Sequence, residues 1–139
     1  MENSTSITVQ TIVNAPIEKV WEFWNNPDHI TRWSFASPDW HTPYAENDLK
    51  VDGKFKNTMA AKDGSASFDF VGTYTTVDEH QKIDYRIEDN RTVSIVFDAL
   101  GEKTRITETF DTESTHPVEM QRDGWQAILD NFKKYAEAS

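Results

Sequence analysis

The sequence predicts an α+β domain in which a curved antiparallel sheet wraps around one long C-terminal helix, and three observations support this. The chain has 139 residues, enough for one domain with a sizeable core. Residues 48–111 alternate apolar and polar side chains between short turns, as antiparallel strands do. Residues 117–138 instead predict a long helix, whose second half has the 3.6-residue period of an amphipathic helix. The apolar stripe of that helix needs a cover, and the sheet supplies it.

The first 33 residues predict one strand followed by two short helices. Residues 6–13 alternate and are rich in β-branched side chains, which is typical of a strand. Pro16 suits the first turn of a helix, and an apolar stripe with helical spacing follows it, formed by Ile17, Val20, Trp21 and Trp24. Asn26 is a suitable N-cap for a second helix with Pro27 in its first turn. Residues 34–47 predict an irregular segment.

Turn signals divide the alternating region into strands. Each signal contains Gly, Asn or Asp, and the five lie at 52–53, 63–64, 78–81, 89–91 and 100–102. Strands joined by such short turns pair as antiparallel neighbours. Together with the first strand, they predict a sheet of six to seven strands. No repeat or linker divides the chain, so residues 1–139 are predicted to form a single domain.

The final helix has a regular apolar stripe only in its second half. Trp125, Ile128, Leu129 and Phe132 follow one another at helical spacing. Gly124 precedes them in the helix interior, where Gly costs about 1 kcal/mol relative to Ala. Two interpretations account for this glycine. Its missing side chain makes room at a cavity or allows a bend, or it permits close packing against the sheet.

The acidic composition weighs against several classes of partner. Fourteen Lys and Arg stand against 24 Asp and Glu, so the formal net charge is −10. Nucleic acids and anionic membranes require a basic surface, so neither is expected as a partner. No apolar run approaches the roughly 20 residues of a membrane helix, so no stable membrane association is expected. The N-terminus lacks the features of a secretory signal, and a cytoplasmic location is expected.

No metal or cofactor is predicted. The chain has no Cys, which excludes disulfides and thiol chemistry. None of its four His residues has a second His or a carboxylate at metal-ligand spacing on the same element. No phosphate-binding loop or nucleophile motif is present.

Six short motifs together resemble the START-like, or Bet v 1-like, superfamily of helix-grip domains, also called SRPBCC domains. More narrowly, the chain is similar to the branch named for the activator of Hsp90 ATPase homologue 1 (AHSA1-like). The resemblance covers residues 7–136. The motifs are V-N-A-P at 13–16, V-W-E-F-W at 20–24, P-D-H-I-T-R-W at 27–33, F-D-F-x-G-T-Y at 68–74, T-E-T-F at 107–110 and G-W-x-x-I-L-D-N-F at 124–132.

The resemblance implies a sheet that grips the C-terminal helix, two short helices that close one end, and a cavity between sheet and helix for an apolar small molecule or lipid. Many aromatic residues on the predicted apolar faces suit such a cavity, although they equally suit a solid core. The predicted ligand-binding residues are Trp24, Trp33, Phe55, Asn57, Met59, Phe68, Phe70, Tyr74, Phe97, Glu108, Phe110, Met120, Trp125 and Leu129.

Two polar residues interrupt these apolar faces. Glu108 shares a strand face with Ile106 and Phe110, and Asn57 lies between Phe55 and Met59. An inward carboxylate requires a hydrogen bond or an ion pair, because burial disfavours its charge. Glu108 is therefore a candidate ligand anchor or general base. The alternative is a structural pairing, or a strand bulge that turns the side chain outward.

Three functions remain open from the sequence. The first is binding of a small apolar or lipid-like ligand without assured catalysis. The second is a cyclase or hydratase type of activity with Glu108 as the catalytic base. The third, implied by the resemblance, is a co-chaperone-like role in the stress response with Hsp90 as partner.

Overall fold

The computed structural model describes residues 6–87 and 90–138, which form seven strands and three helices in these residues. The order is one strand, two short helices, six strands and one long helix. The elements are β1 (Ser6–Val13), α1 (Ile17–Asn25), α2 (Pro27–Trp33), β2 (Trp40–Asn47), β3 (Lys54–Ala61), β4 (Ser67–Asp78), β5 (Lys82–Ile87), β6 (Thr92–Leu100), β7 (Lys103–Asp111) and α3 (Val118–Ala138).

The seven strands form one antiparallel sheet in the order β1-β7-β6-β5-β4-β3-β2. Consecutive strands β1 and β2 therefore lie at opposite edges of the sheet. The connection between them contains α1 and α2, which cross from one edge to the other. The curved sheet forms a half-barrel around α3, so the predicted α+β fold is confirmed.

The local signals of the two short helices behave as predicted. α1 starts directly after Pro16, and α2 has Pro27 in its first turn. The Asn26 side chain accepts a hydrogen bond from the backbone N–H of Asp28 at 2.9 Å, so Asn26 is the N-cap of α2.

The prediction of an irregular segment at 34–47 is wrong for its second half, which is strand β2. β2 lies at an edge of the sheet, and its register with β3 shifts between His41 and Tyr44. Pro43 lies inside this shift, as expected for a proline in an edge strand. The shift breaks the two-residue alternation that reveals a strand in sequence. The predicted turn at 89–91 lies partly outside the described residues.

α3 packs along β1 and against both short helices. Leu129, Phe132 and Ala136 are completely buried there. Lys133 Nζ donates to the Ile12 carbonyl oxygen at 2.8 Å, and Gln126 Nε2 donates to that of Gln10 at 3.4 Å. These contacts protect the edge strand β1 against pairing with another chain.

Gly124 lies within an uninterrupted α3. A Cβ atom at this position would meet nothing within 4 Å outside the helix's own backbone. Close packing against the sheet is therefore the wrong interpretation of this glycine. No helix in the described part of the chain is long and apolar enough to cross a membrane.

Candidate ligand-binding cavity

A cavity of about 360 Å³ lies between the sheet and the first half of α3. It exists because α3 packs along β1, α1 and α2 and leaves the β3–β5 part of the sheet less covered. Its volume is within the range of about 300–1,000 Å³ typical of ligand sites. Its wall consists of Trp24, Asn25, Ile30, Trp33, Ser34, Asn47, Phe55, Asn57, Met59, Phe68, Phe70, Tyr74, Ile83, Tyr85, Arg91, Ile95, Glu108, Glu113, Gln121, Trp125 and Ile128.

Aromatic rings in contact with one another form the part of the cavity wall that the sheet contributes. Phe55 meets Tyr85 edge to face, with ring centroids 4.8 Å apart and an interplanar angle of 79°. Phe70 contacts Trp125 of α3 in the same manner at 6.3 Å. Trp125 also stacks on Phe110 at 4.1 Å and 8°. Such contacts hold each ring in one orientation, so the wall is shaped before any ligand arrives.

Glu108 brings a carboxyl group into this apolar wall. Its neighbours across the ladder are Val9 and Ile95, both buried and apolar, and Glu108 itself is 6% exposed. Its carboxyl has no hydrogen bond or ion pair with any residue in the described part of the chain. Burial raises the pKa of Glu108 to about 8 because no charge compensates the loss of solvent. The carboxyl is therefore mostly protonated at neutral pH.

Two tyrosines from adjacent strands flank the same region. Burial raises the pKa of Tyr85 well above its ordinary value, and the nearby Glu108 charge raises it further. Burial also raises the pKa of Tyr74, whose hydroxyl donates to the Asn47 carboxamide oxygen. Asn47 Nδ2 in turn donates to the carbonyl oxygen of Asn25 at 2.7 Å. This chain of hydrogen bonds ties β4 and β2 to the end of α1.

Asn57 is the second polar interruption. It lies on β3 opposite Phe70, and its buried carboxamide oxygen has no hydrogen-bond partner among the residues that the structure describes. A buried acceptor without a donor costs roughly 1–3 kcal/mol. The group is therefore available to a donor that enters the cavity.

One end of the cavity reaches solvent near the start of α3. Phe68 lines the cavity although 51% of the residue is exposed. Glu113 lies 2.5 Å from His116 Nδ1, and this hydrogen bond holds the pKa of Glu113 below its usual range. Gln121 Nε2 donates to the carbonyl oxygens of both residues, at 3.0 and 2.8 Å. These bonds fix the loop that leads into α3.

Ten of the fourteen residues predicted from the sequence lie on the cavity wall, whereas Phe97, Phe110, Met120 and Leu129 do not. Phe97 packs edge to face against Trp21 and Trp24. Phe110 is covered by the Trp125 ring. Leu129 is completely buried in the core, and Met120 is 58% exposed. The ten are Trp24, Trp33, Phe55, Asn57, Met59, Phe68, Phe70, Tyr74, Glu108 and Trp125.

Several wall residues escaped the sequence prediction. Tyr85 is the most important of them. It lies two residues from both Ile83 and Ile87, and this spacing was a usable signal that its side chain points inward. Asn47 and Gln121 had no such signal, because their positions depend on contacts with distant segments. Within the described ranges, no group of three or more His, Cys, Asp or Glu side chains has the arrangement to hold a metal ion.

Comparison with known proteins identifies the family. The family model described as activator of Hsp90 ATPase homolog 1-like protein matches residues 14–137. The chain belongs to this family. The match confirms the AHSA1-like resemblance and its place in the START-like, or Bet v 1-like, superfamily. Proteins of this family are ligand-binding or co-chaperone-like. No functionally curated protein matches the chain.

Solved structures agree with this assignment. An AHSA1-like protein from Aeromonas hydrophila is 46% identical, with a TM-score of 0.90 over 96% of this chain and 93% of that chain. A protein from Cytophaga hutchinsonii is 56% identical, with a TM-score of 0.83 over 96% of this chain and 92% of that chain. A protein from Nitrosomonas europaea is 16% identical, with a TM-score of 0.81 over 96% and 94%, and shares the fold.

Proposed function

We propose that this AHSA1-like protein binds a small, largely apolar or lipid-like molecule in the cavity between the sheet and α3. The observation that carries this proposal is a preformed aromatic cavity of about 360 Å³. Its wall contains the Asn57 carboxamide oxygen and the Glu108 carboxyl, neither of which has a hydrogen-bond partner among the described residues. Ligand sites combine apolar walls with a few polar groups in this way.

The unpartnered polar groups favour a binding site over a simple packing defect. Apolar side chains at Asn57 and Glu108 would avoid the free-energy penalty of burying these groups. Their retention in the wall is accounted for if a ligand completes their hydrogen bonds. The solvent-exposed edge at Phe68 gives such a ligand an entrance.

The direct test is native mass spectrometry of the purified protein before and after organic extraction, followed by titration with the apolar dye N-phenyl-1-naphthylamine. We expect dye fluorescence to rise on binding. The variant Ile128→Trp fills the cavity from its helix wall and should abolish that rise. Ile12→Trp is the matched control, since Ile12 is 45% exposed on the outer side of β1.

The proposal fails if the extracted protein binds no dye and carries no ligand before extraction. It also fails if Ile128→Trp and the control bind the dye equally well, because binding would then occur outside the cavity. Circular dichroism of both variants establishes that each is folded.

A co-chaperone-like role in the stress response is a second candidate, and the family match over residues 14–137 favours it. It requires that the chain alone alter the ATPase rate of Hsp90. Steady-state ATPase assays with increasing amounts of this protein test it. An unchanged rate at a large molar excess rules it out for this chain.

A cyclase or hydratase type of activity is a third candidate. Glu108 favours it, because a carboxyl with a pKa of about 8 can accept or donate a proton near neutral pH. Tyr85 lines the same cavity, and its hydroxyl is a second group that can donate a proton or a hydrogen bond. Once a ligand is identified, its chemical change during incubation with the protein, absent with Glu108→Gln, is the test.

A further inference from the structure

Three polar groups of the cavity wall can accept hydrogen bonds from a ligand. The buried Asn57 carboxamide oxygen is an acceptor to which no described residue donates. The Glu108 carboxyl has no partner in the described part of the chain. The Tyr74 hydroxyl already donates to Asn47 and keeps only its acceptor capacity. A ligand with N–H groups satisfies these atoms better than one with only carbonyl oxygens.

Glu108 also lacks a compensating positive charge. The titratable or charged wall residues are Tyr74 on β4, Tyr85 on β5, Arg91 before β6 and Glu113 after β7. No ion pair joins any of them to Glu108. Both tyrosines are neutral at physiological pH, since burial raises their pKa values. The position beside Glu108 therefore favours a cation from outside the chain.

The remaining wall and the net charge favour the same ligand chemistry. Aromatic faces attract cations through their negative quadrupoles, and the cavity is rich in Trp, Phe and Tyr. A protein with a formal net charge of −10 also raises the local concentration of cations and repels anions. Fatty acids and other apolar anions therefore suit this cavity poorly.

We propose that the ligand of this cavity is an apolar molecule that carries one basic amine, with its ammonium group at Glu108 and its apolar body against the aromatic wall. This inference rests on the proposed ligand-binding function and specifies the chemical class of the ligand. A charge-assisted hydrogen bond to a carboxylate is roughly twice as strong as a neutral one. The amine therefore determines which apolar molecules bind.

Binding of an ammonium group requires Glu108 to ionise. At pH 7 a carboxyl with a pKa of about 8 is protonated in roughly nine of ten empty cavities. The arriving cation lowers that pKa, so the carboxyl releases its proton to solvent. Amine binding at pH 7 is thus accompanied by release of about one proton, and amine affinity increases from pH 6 to pH 8.

Three probes that differ only in their polar group test the inference: 4-phenylbutylamine, 4-phenylbutanol and 4-phenylbutyrate. Isothermal titration calorimetry gives their affinities for the full chain, and buffers of different ionisation enthalpy give the number of protons released. We expect the amine to bind at least about tenfold more tightly than the alcohol, and the carboxylate to bind least.

Glu108→Gln should reduce the preference for the amine over the alcohol to less than about threefold and abolish proton release, while alcohol binding persists. Glu102→Gln makes the same substitution in an exposed turn outside the cavity and should behave as the wild type. An alcohol that binds as tightly as the amine, or a preference retained in Glu108→Gln, overturns the inference but leaves ligand binding intact. If none of the three probes and no apolar dye binds, and the protein carries no ligand before extraction, the proposed function itself is overturned.

Discussion

Glu108 links the stability of the fold to pH. In the unfolded chain its carboxyl ionises near pH 4.5, whereas in the folded chain it stays protonated until about pH 8. Between these values the folded state binds more protons than the unfolded state. The contribution of Glu108 to the free energy of unfolding therefore falls as pH rises, by up to about 1.4 kcal/mol per pH unit. Below pH 4.5 and above pH 8 this dependence disappears.

Glu108→Gln should remove this dependence, because a neutral amide replaces the protonated carboxyl. We expect the variant and the wild type to be similarly stable at pH 4.5, and the variant to be more stable by about 2–4 kcal/mol at pH 8. Urea denaturation at several pH values measures the difference. Glu102→Gln, in an exposed turn, serves as the control for a Glu-to-Gln substitution outside the cavity. A stability difference that does not change with pH would contradict this account of Glu108.

Two glycines offer opposite tests of local packing. At Gly124 an added Cβ meets open space, so Gly124→Ala should raise the free energy of unfolding by about 0.5–1 kcal/mol. At Gly72 the added Cβ would lie 2.4 Å from the Phe55 ring and 3.0 Å from that of Tyr85. Gly72→Ala should therefore destabilise the fold by about 1–3 kcal/mol. Chemical denaturation of both variants provides the measurement.

A change in the free energy of unfolding of the opposite sign, in either variant, would refute the prediction for that variant. A stabilising Gly72→Ala would mean that the Phe55 ring moves without penalty, and that the aromatic wall is less rigid than its contacts indicate. A destabilising Gly124→Ala would mean that the glycine has a role beyond its lack of a side chain.

At the scale of single residues, the alternation of apolar and polar residues predicted well which face of the sheet each side chain lies on. It predicted only partly which side chains line the cavity. Glu108 and Asn57 were found because each interrupts an apolar strand face, and both lie on the wall. Phe110 lies on the same strand face as Glu108, yet the Trp125 ring separates it from the cavity. Whether an inward side chain meets a void or another side chain depends on the helix above it, and strand periodicity contains no information about that helix.

Helix α3 divides into a part that anchors the fold and a part that borders the cavity. Leu129, Phe132 and Ala136 are completely buried, whereas Trp125 and Ile128 face the cavity. The sequence already placed the regular stripe in the second half of the helix. The structure moves the boundary from Gly124 to about Ile128, since Ile128 still belongs to the wall.

This division predicts different rates of amide hydrogen exchange along one helix. We expect amides at 129–136 to exchange at least about tenfold more slowly than amides at 122–126, because opening the second half exposes the core. Nuclear magnetic resonance or mass spectrometry resolves the two segments. Amides in the central strand β5 provide the reference for global unfolding. Equal protection, or faster exchange at 129–136, would show that α3 opens as one unit.

Among the elements, β2 was the one that sequence patterns missed. Its residues do not alternate, because the strand lies at an edge, contains Pro43 and shifts register against β3. An edge strand that is only partly covered by the rest of the protein does not need an apolar side chain at every second residue. Strands β3 to β7 were predictable because tight turns and pairing on both sides impose their length and their period. The edge strand β1 was predictable from its own alternation of apolar and polar residues.

For the whole molecule, the succession of elements followed from the sequence, but their arrangement in space did not. Short turns predicted that β3 to β7 are successive neighbours, as observed. They contained no information that β1 pairs with β7 and β2 lies at the opposite edge, since the connection through α1 and α2 is long. The resemblance to helix-grip domains supplied that arrangement. The cavity is a consequence of it, because the helix covers only part of the curved sheet.

A cavity that binds ligand only in the folded state makes thermal stability depend on ligand concentration. At one hundred times its dissociation constant, N-phenyl-1-naphthylamine should increase the free energy of unfolding by about 2.7 kcal/mol. For a domain of this size, this corresponds to a rise in Tm of several degrees. Differential scanning calorimetry at increasing dye concentration measures it. Ile128→Trp should show no rise, whereas Ile12→Trp should follow the wild type. A Tm that increases equally in both variants would place the dye on the outer surface and would contradict a cavity that opens to ligands.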